Sequence, residues 1–154
     1  MWQCGVDQMA AGKRGKDISQ PLCPSARPDM PESTIFGVIG GSADDPHVSY
    51  LSEPLPVTQE LLALSQPVKP GEVWRIAARC AGAACMHFDG SDCQLARRTV
   101  ALLPPVSGDL PACRIRPRCQ WWRQEGKAAC SRCPAIVTES YLPSEAVREA
   151  AKPR

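Results

Sequence analysis

Apolar and polar positions along this chain come in short bursts rather than long runs. Thr34 to Gly41 (TIFGVIGG) is a β-branched run closed by two glycines, and His47 to Leu51 is a second extended run. The polar stretch Ser42–Pro46 between them predicts a hairpin. After two further prolines, Thr58 stands where a helix N-cap belongs, ahead of a short apolar pattern from Gln59 to Ser65. Pro-Val-Lys-Pro-Gly at 67–71 reads as a turn, and Glu72 to Ala78 (EVWRIAA) as a third strand that delivers the chain to Cys80. Farther on, Gln94 to Leu103 has helical spacing, with Leu95, Val100, Leu102 and Leu103 apolar and Arg97 and Arg98 outside, and Pro104–Pro105 stops it. Ser144 is placed to cap a short last helix, Glu145 to Ala151.

These elements predict an α+β fold: a small N-terminal antiparallel sheet with a short helix, followed by an irregular, metal-stapled, Cys-rich helical region. Residues 1–21 are polar and aperiodic and are expected to form a disordered extension. Residues 22–154 are expected to form a single domain, with 22–78 as an α+β scaffold layer, 79–134 as the Cys-rich metal-binding region and 135–154 as a tail with a short helix. A chain of 154 residues suits one domain. No repeat occurs at solenoid periods.

Composition changes this picture in one respect. Proline, at 16 residues, is about twice its usual share of roughly 5%, and aromatic residues make up only 5%. An apolar core alone is a weak basis for stability in such a chain. The net charge of +2 gives no general reason to bind nucleic acid or an anionic membrane. Its distribution is uneven. Between Arg79 and Pro134 there are nine Lys/Arg against four Asp/Glu, an excess of +5 that leaves −3 elsewhere.

The positive charge travels with the cysteines. There are nine in all, and seven of them fall in the 54 residues from Cys80 to Cys133. The first twenty residues lack the apolar segment of a secretory signal, and no stretch approaches the roughly 18–20 apolar residues of a membrane span. The expected location is therefore the reducing cytoplasm, where clustered cysteines more often hold metal or do redox chemistry than form structural disulfides.

The spacings are Cys80-x4-Cys85-x7-Cys93 and Cys113-x5-Cys119-x10-Cys130-x2-Cys133. The C-x2-C pair lets two thiolates face one ion or one cluster edge while backbone N–H groups point at the sulfurs. Cys133-Pro134 matches the Cys-Pro ending of bacterial ferredoxin motifs, and Cys23-Pro24 repeats it. Adding Cys23 gives eight thiolates, two tetrathiolate sets, enough for one or two [4Fe–4S] clusters or for two Cys4 zinc sites. Cys4 is then spare. Zinc favours two tight pairs and only one is present, whereas the irregular gaps suit a polynuclear cluster, so an iron–sulfur cluster stands ahead of zinc. A thiol–disulfide pair at Cys130–Cys133 is the third possibility, though such a pair normally opens a helix after a strand.

Other residues are read against that site. Cys85-Met86-His87 repeats the C-x-H start of a Rieske centre, but the only other histidine, His47, stands in the front half without a cysteine partner. His87 is expected as a hydrogen-bond donor to a cluster or as a satisfied turn residue, ahead of a role as direct ligand. Arg114, Arg116 and Arg118, with Arg123, Lys127 and Arg132, would offset the negative charge of a thiolate-ligated cluster. The rival is a nucleic-acid surface with Trp121–Trp122 as stacking platforms. Adjacent tryptophans point in different directions, so at least one is expected in the core, and nucleic acid is the weaker reading. With two histidines and no nearby acid pair, hydrolytic triads and metal-hydrolase sites have little support.

The segments CMHFDGSDCQLARRTVALLPPV and CRIRPRCQWWRQEGKAACSRCPAIVT resemble small cysteine-rich bacterial proteins, frequent in cyanobacteria, labelled "nitrogen fixation protein". The likeness extends from about Cys23-Pro24-Ser25-Ala26 to near the C-terminus and includes VTQELLAL and the Lys69-Pro70-Gly71 turn. It implies a cluster-binding accessory protein and supplies no substrate. The expected function is that of a small cytoplasmic iron–sulfur protein, an electron-transfer or redox-sensing factor with a redox or acidic protein partner, rather than an enzyme. The alternative is a zinc-stapled interaction module without catalysis. Its expected ligands are Cys23, Cys80, Cys85, Cys93, Cys113, Cys119, Cys130 and Cys133, with Arg114, Arg116, Arg118 and His87 around them.

Overall fold

A computed structural model describes residues 20–42, 44–138 and 143–153. The expected extension at 1–21, apart from its last two residues, and Cys4 lie outside the described residues. The fold is α+β: a four-stranded antiparallel sheet with several short helices.

The sheet comprises β1 (Leu22–Cys23), β2 (Thr34–Gly41), β3 (Pro46–Pro56) and β4 (Trp74–Arg79), in the order β1-β4-β2-β3. Gly41 closes the β2–β3 hairpin at φ 76°, where an added Cβ would run into the Asp45 carbonyl oxygen, so glycine is required there. The third strand runs on past the expected Leu51 through Pro54 to Pro56. It can do so because it lies at the sheet edge, where the missing N–H of proline removes no interior ladder bond. The fourth strand is central. Arg75 to Ala78 are buried, which explains the nearly unbroken apolar run. It starts two residues later than expected, because Pro70 occupies the first turn of a short helix, α2 (Pro70–Val73), after α1 (Gln59–Ala63).

Two pairings govern the later chemistry. The two-residue β1 pairs Leu22 with Arg79 and Cys23 with Ala78, setting the front of the chain beside the strand that leads into Cys80. Between β2 and β4, Ile35 pairs with Ile76 and Gly37 with Arg75, so Phe36 is an extra residue, a bulge. Bulges re-aim side chains. Here Phe36 is buried with the Arg75 guanidinium 5.6 Å from its ring centre.

The cysteine-rich half forms α3 (Gln94–Leu102), α4 (Gln120–Glu125) and α5 (Lys127–Cys130), with a 3-10 turn, Arg116–Arg118, ahead of α4 and Gly126 alone between α4 and α5, and the last described helix is α6 (Glu145–Ala150). Two caps fall where the sequence places them: Thr58 Oγ1 accepts from Leu61 N–H and Ser144 Oγ from Val147 N–H. The third helix buries Leu95, Ala96 and Thr99, while Leu102, expected on its apolar side, is exposed. Thr99 tolerates burial because its hydroxyl donates to the Leu95 carbonyl at 2.7 Å.

Candidate metal centre

The eight described cysteines are free thiols, and the fold divides them into two sets of four. Cys113, Cys119, Cys130 and Cys133 line one small cavity, and Cys23, Cys80, Cys85 and Cys93 line a second. Each set combines a paired turn, a helix-end cysteine and one Cys-Pro cysteine. The paired turns are alike: a 3-10 turn, Gly82–Ala84, separates Cys80 from Cys85, and another, Arg116–Arg118, separates Cys113 from Cys119. The helix-end members are Cys93, the N-cap of α3, and Cys130, the last residue of α5. Cys23 and Cys133 supply the two Cys-Pro members.

Backbone donors converge on the sulfurs in a recurring way. Gly82 N–H donates to Cys80, His87 N–H to Cys85 at 3.4 Å, Leu95 N–H to Cys93, Ile115 N–H to Cys113 and Trp121 N–H to Cys119. In every case the donor is two residues after the cysteine. Ala96 and Trp122 add second donors to Cys93 and Cys119, because both cysteines precede the first turn of a helix, where N–H groups lack internal partners. The Cys93 backbone is itself fixed by the Gln124 amide, which accepts from its N–H at 2.8 Å and donates to its carbonyl at 2.9 Å.

Burial opposes ionisation of these thiols. It pushes Cys80 up to about 11 and Cys93 up to about 12, and raises Cys113, Cys119 and Cys130 as well, while the N–H donors and, at Cys130, Arg116 pull the other way. A nucleophilic C-x2-C thiol needs the reverse shift. Cys130 is raised and ends a helix instead of opening one.

Arg75 is the feature that sequence reading passed over. It is 0% exposed in the middle of the central strand. Its Nη2 donates to Cys133 Sγ at 3.1 Å and to the Pro24 carbonyl at 2.8 Å, and its Nη1 donates to the carbonyls of Cys133 and Ile136. One guanidinium thus joins both Cys-Pro segments. Among the described residues it has no carboxylate partner. An arginine inside an otherwise apolar strand was the available signal, since such a residue is almost never fully buried unless paired.

The other expected residues are placed as follows. Arg116 lines the first cavity, bonds to Cys130 and stacks over Trp122 at 5.6 Å. Arg114 donates to the Ser52 carbonyl on the edge strand at 2.7 Å and lines neither cavity, nor does Arg118. His87 is buried and lines the second cavity; burial, then Arg98, lowers its imidazole to about 4, so the ring is neutral at ordinary pH. Trp121, 2% exposed, lines both cavities, whereas Trp122 is half-buried.

Among the described residues, no group of three or more His, Cys, Asp or Glu side chains is arranged to hold a single metal ion. No helix among them is long and apolar enough to cross a membrane. No family model, curated protein or solved structure matches the chain.

Proposed function

We propose that this chain is a small iron–sulfur protein carrying two [4Fe–4S] clusters, an electron-transfer or redox-sensing accessory factor rather than an enzyme. The observation that carries the reading is the partition of eight cysteines into two sets of four. Each set surrounds a cavity, with N–H donors aimed at its sulfurs. A cluster needs thiolates spread around a polynuclear core and hydrogen bonds to its sulfurs. Zinc would need four ligands converging on one point and favours two closely spaced pairs, of which the sequence has one, Cys130 and Cys133.

Arg75 adds an independent argument. A buried guanidinium without a carboxylate partner is costly by several kcal/mol. A thiolate-ligated cluster at Cys133 would supply the missing negative charge. Cys23, Cys80, Cys85 and Cys93 would hold one cluster, and Cys113, Cys119, Cys130 and Cys133 the other. When bound, each cluster would supply a one-electron redox centre; the chain's own contribution is to position sulfurs, donate hydrogen bonds and exclude water.

A redox partner with an acidic face would suit the local excess of Arg and Lys, of which Arg114, Arg123 and Lys127 are exposed. A role in nitrogen metabolism is proposed on the sequence resemblance. Anaerobic reconstitution followed by iron and acid-labile sulfide analysis tests the reading. The expected result is about eight of each per chain, with a brown protein. A colourless protein that takes up zinc and no sulfide would overturn it in favour of a zinc-stapled interaction module.

A further inference from the structure

The two cysteine sets share the same backbone donors and differ in charge. At the Cys23 set the described donors are main-chain N–H groups, from Gly82, His87, Leu95 and Ala96. No Arg or Lys lines that cavity. Arg98 is felt by His87, but its guanidinium donates to the Lys152 carbonyl. At the Cys113 set Arg75 donates directly to the sulfur of Cys133, and Arg116 lines the same cavity beside Cys130 and favours its thiolate. Arg75 donates from a fully buried position, where screening by water and salt is weakest.

On the iron–sulfur reading above, we propose that the two clusters work at different potentials and form a relay that runs downhill from the Cys23 set to the Cys113 set. The Cys113 set is the higher-potential centre, and Arg75 and Arg116 set the gap. Reduction adds one negative charge to a cluster, so a neighbouring cation favours the reduced form. Net charge and hydrogen bonds to sulfur are the levers by which a protein sets such potentials. Trp121 lines both cavities, so its indole borders both sites.

The transfer balances simply. One electron from a low-potential one-electron carrier reduces the Cys23 site. Passage of that electron to the second site would reoxidise the first and reduce the Cys113 site, with no bond formed or broken. An electron acceptor would then be served from the Cys113 side, where the basic residues lie.

The test is a redox titration of the anaerobically reconstituted protein, followed by electron paramagnetic resonance, on samples whose iron and sulfide have first been measured. Two waves are expected, and Cys130→Ser and Cys80→Ser assign them by removing the upper and the lower wave respectively. Arg75→Met should lower the reduced-to-oxidised ratio of the upper wave by about tenfold at fixed potential, equivalent to about 59 mV for one electron. The lower wave should move much less, since Arg75 meets that set only through the Pro24 carbonyl and not through a sulfur. Arg75→Lys, which keeps the charge, should move the upper wave less. Arg116→Gln, at a half-buried site, provides the same test should the Arg75 variants not fold. With iron and sulfide at two full clusters, a single wave, or arginine variants that move the lower wave as far as the upper one, would overturn the relay and leave the iron–sulfur assignment standing. A chain short of iron and sulfide would instead overturn that assignment.

Discussion

The Nη2 of Arg75 lies 3.1 Å from the sulfur of Cys133, and the same nitrogen donates to the carbonyl of Pro24 at 2.8 Å. Residues far apart in sequence are thereby joined, because Pro24 follows Cys23 in one cysteine set and Cys133 belongs to the other. The contact is built by the sheet: Arg75 is on the central strand, and the bulge at Phe36 on its neighbour packs the aromatic ring beside the guanidinium.

Replacing Arg75 with Leu should therefore destabilise the protein strongly. It would leave the buried carbonyls of Pro24, Cys133 and Ile136 without this donor, and each lost partner costs about 1–3 kcal/mol. A total loss of about 3 kcal/mol or more is expected in urea unfolding. Arg75→Lys should recover part of it, since one ammonium can reach some of these acceptors. A Leu variant as stable as the parent would mean that the guanidinium does not hold the two Cys-Pro segments together.

Much of the scaffold was legible because local rules determine it. The Gly-Gly end of β2, the Thr58 and Ser144 caps and the Pro104–Pro105 stop after α3 all act within a few residues. The second Cys-Pro also pointed to Cys23 as a member of the site. The division of the cysteines into two sets was not legible, because it depends on pairing β1 with β4, a contact between residues more than fifty positions apart. A two-residue strand leaves no periodic signal. Arg114 shows the same limit: an arginine beside Cys113 in sequence turns to the Ser52 carbonyl, while Arg75, remote in sequence, reaches a sulfur.

The partition makes a specific prediction for cysteine substitutions. Cys93→Ser or Cys119→Ser alone should each remove about half of the reconstituted iron, since one tetrathiolate set is broken. Cys80→Ser combined with Cys93→Ser should lose no more than either alone, because both belong to one set. Cys93→Ser combined with Cys119→Ser should lose nearly all of it. Iron per chain, measured alongside circular dichroism to confirm folding, checks this. Equal losses in the two double variants would contradict the assignment of ligands to cavities.

Loading should be strongly pH-dependent. Cys80 at about 11 and Cys93 at about 12 are protonated across the neutral range in the metal-free protein. Ligation requires thiolates, so metal competes with protons and displaces them. The sign follows directly: raising pH lowers the proton competition and favours loading, and lowering pH opposes it. Iron retained against a fixed chelator should be greater at pH 8.5 than at pH 6.5, with protons released on binding in weakly buffered solution. Flat retention over that interval would show that these thiols are already ionised before metal arrives.

Trp121 should report loading directly, because its indole lines both cavities and is 2% exposed. An iron–sulfur cluster absorbs broadly over the region where indole emits, so a cluster in contact with the ring accepts its excitation. Zinc is colourless and has no redox chemistry, so it provides no such route. Reconstitution should therefore quench the tryptophan emission, and Trp121→Phe should reduce the change, with Trp74 and Trp122, which also pack against the core, accounting for the remainder. That substitution leaves a partly filled gap between the two cavities and is expected to cost about 1–3 kcal/mol, so the comparison needs matched iron content and a temperature well below unfolding. Single occupancy should quench as well, whichever set is filled, because the ring touches both. Quenching by iron and sulfide in Cys93→Ser but not in Cys119→Ser, at equal iron, would show that only one of the two sites lies against Trp121.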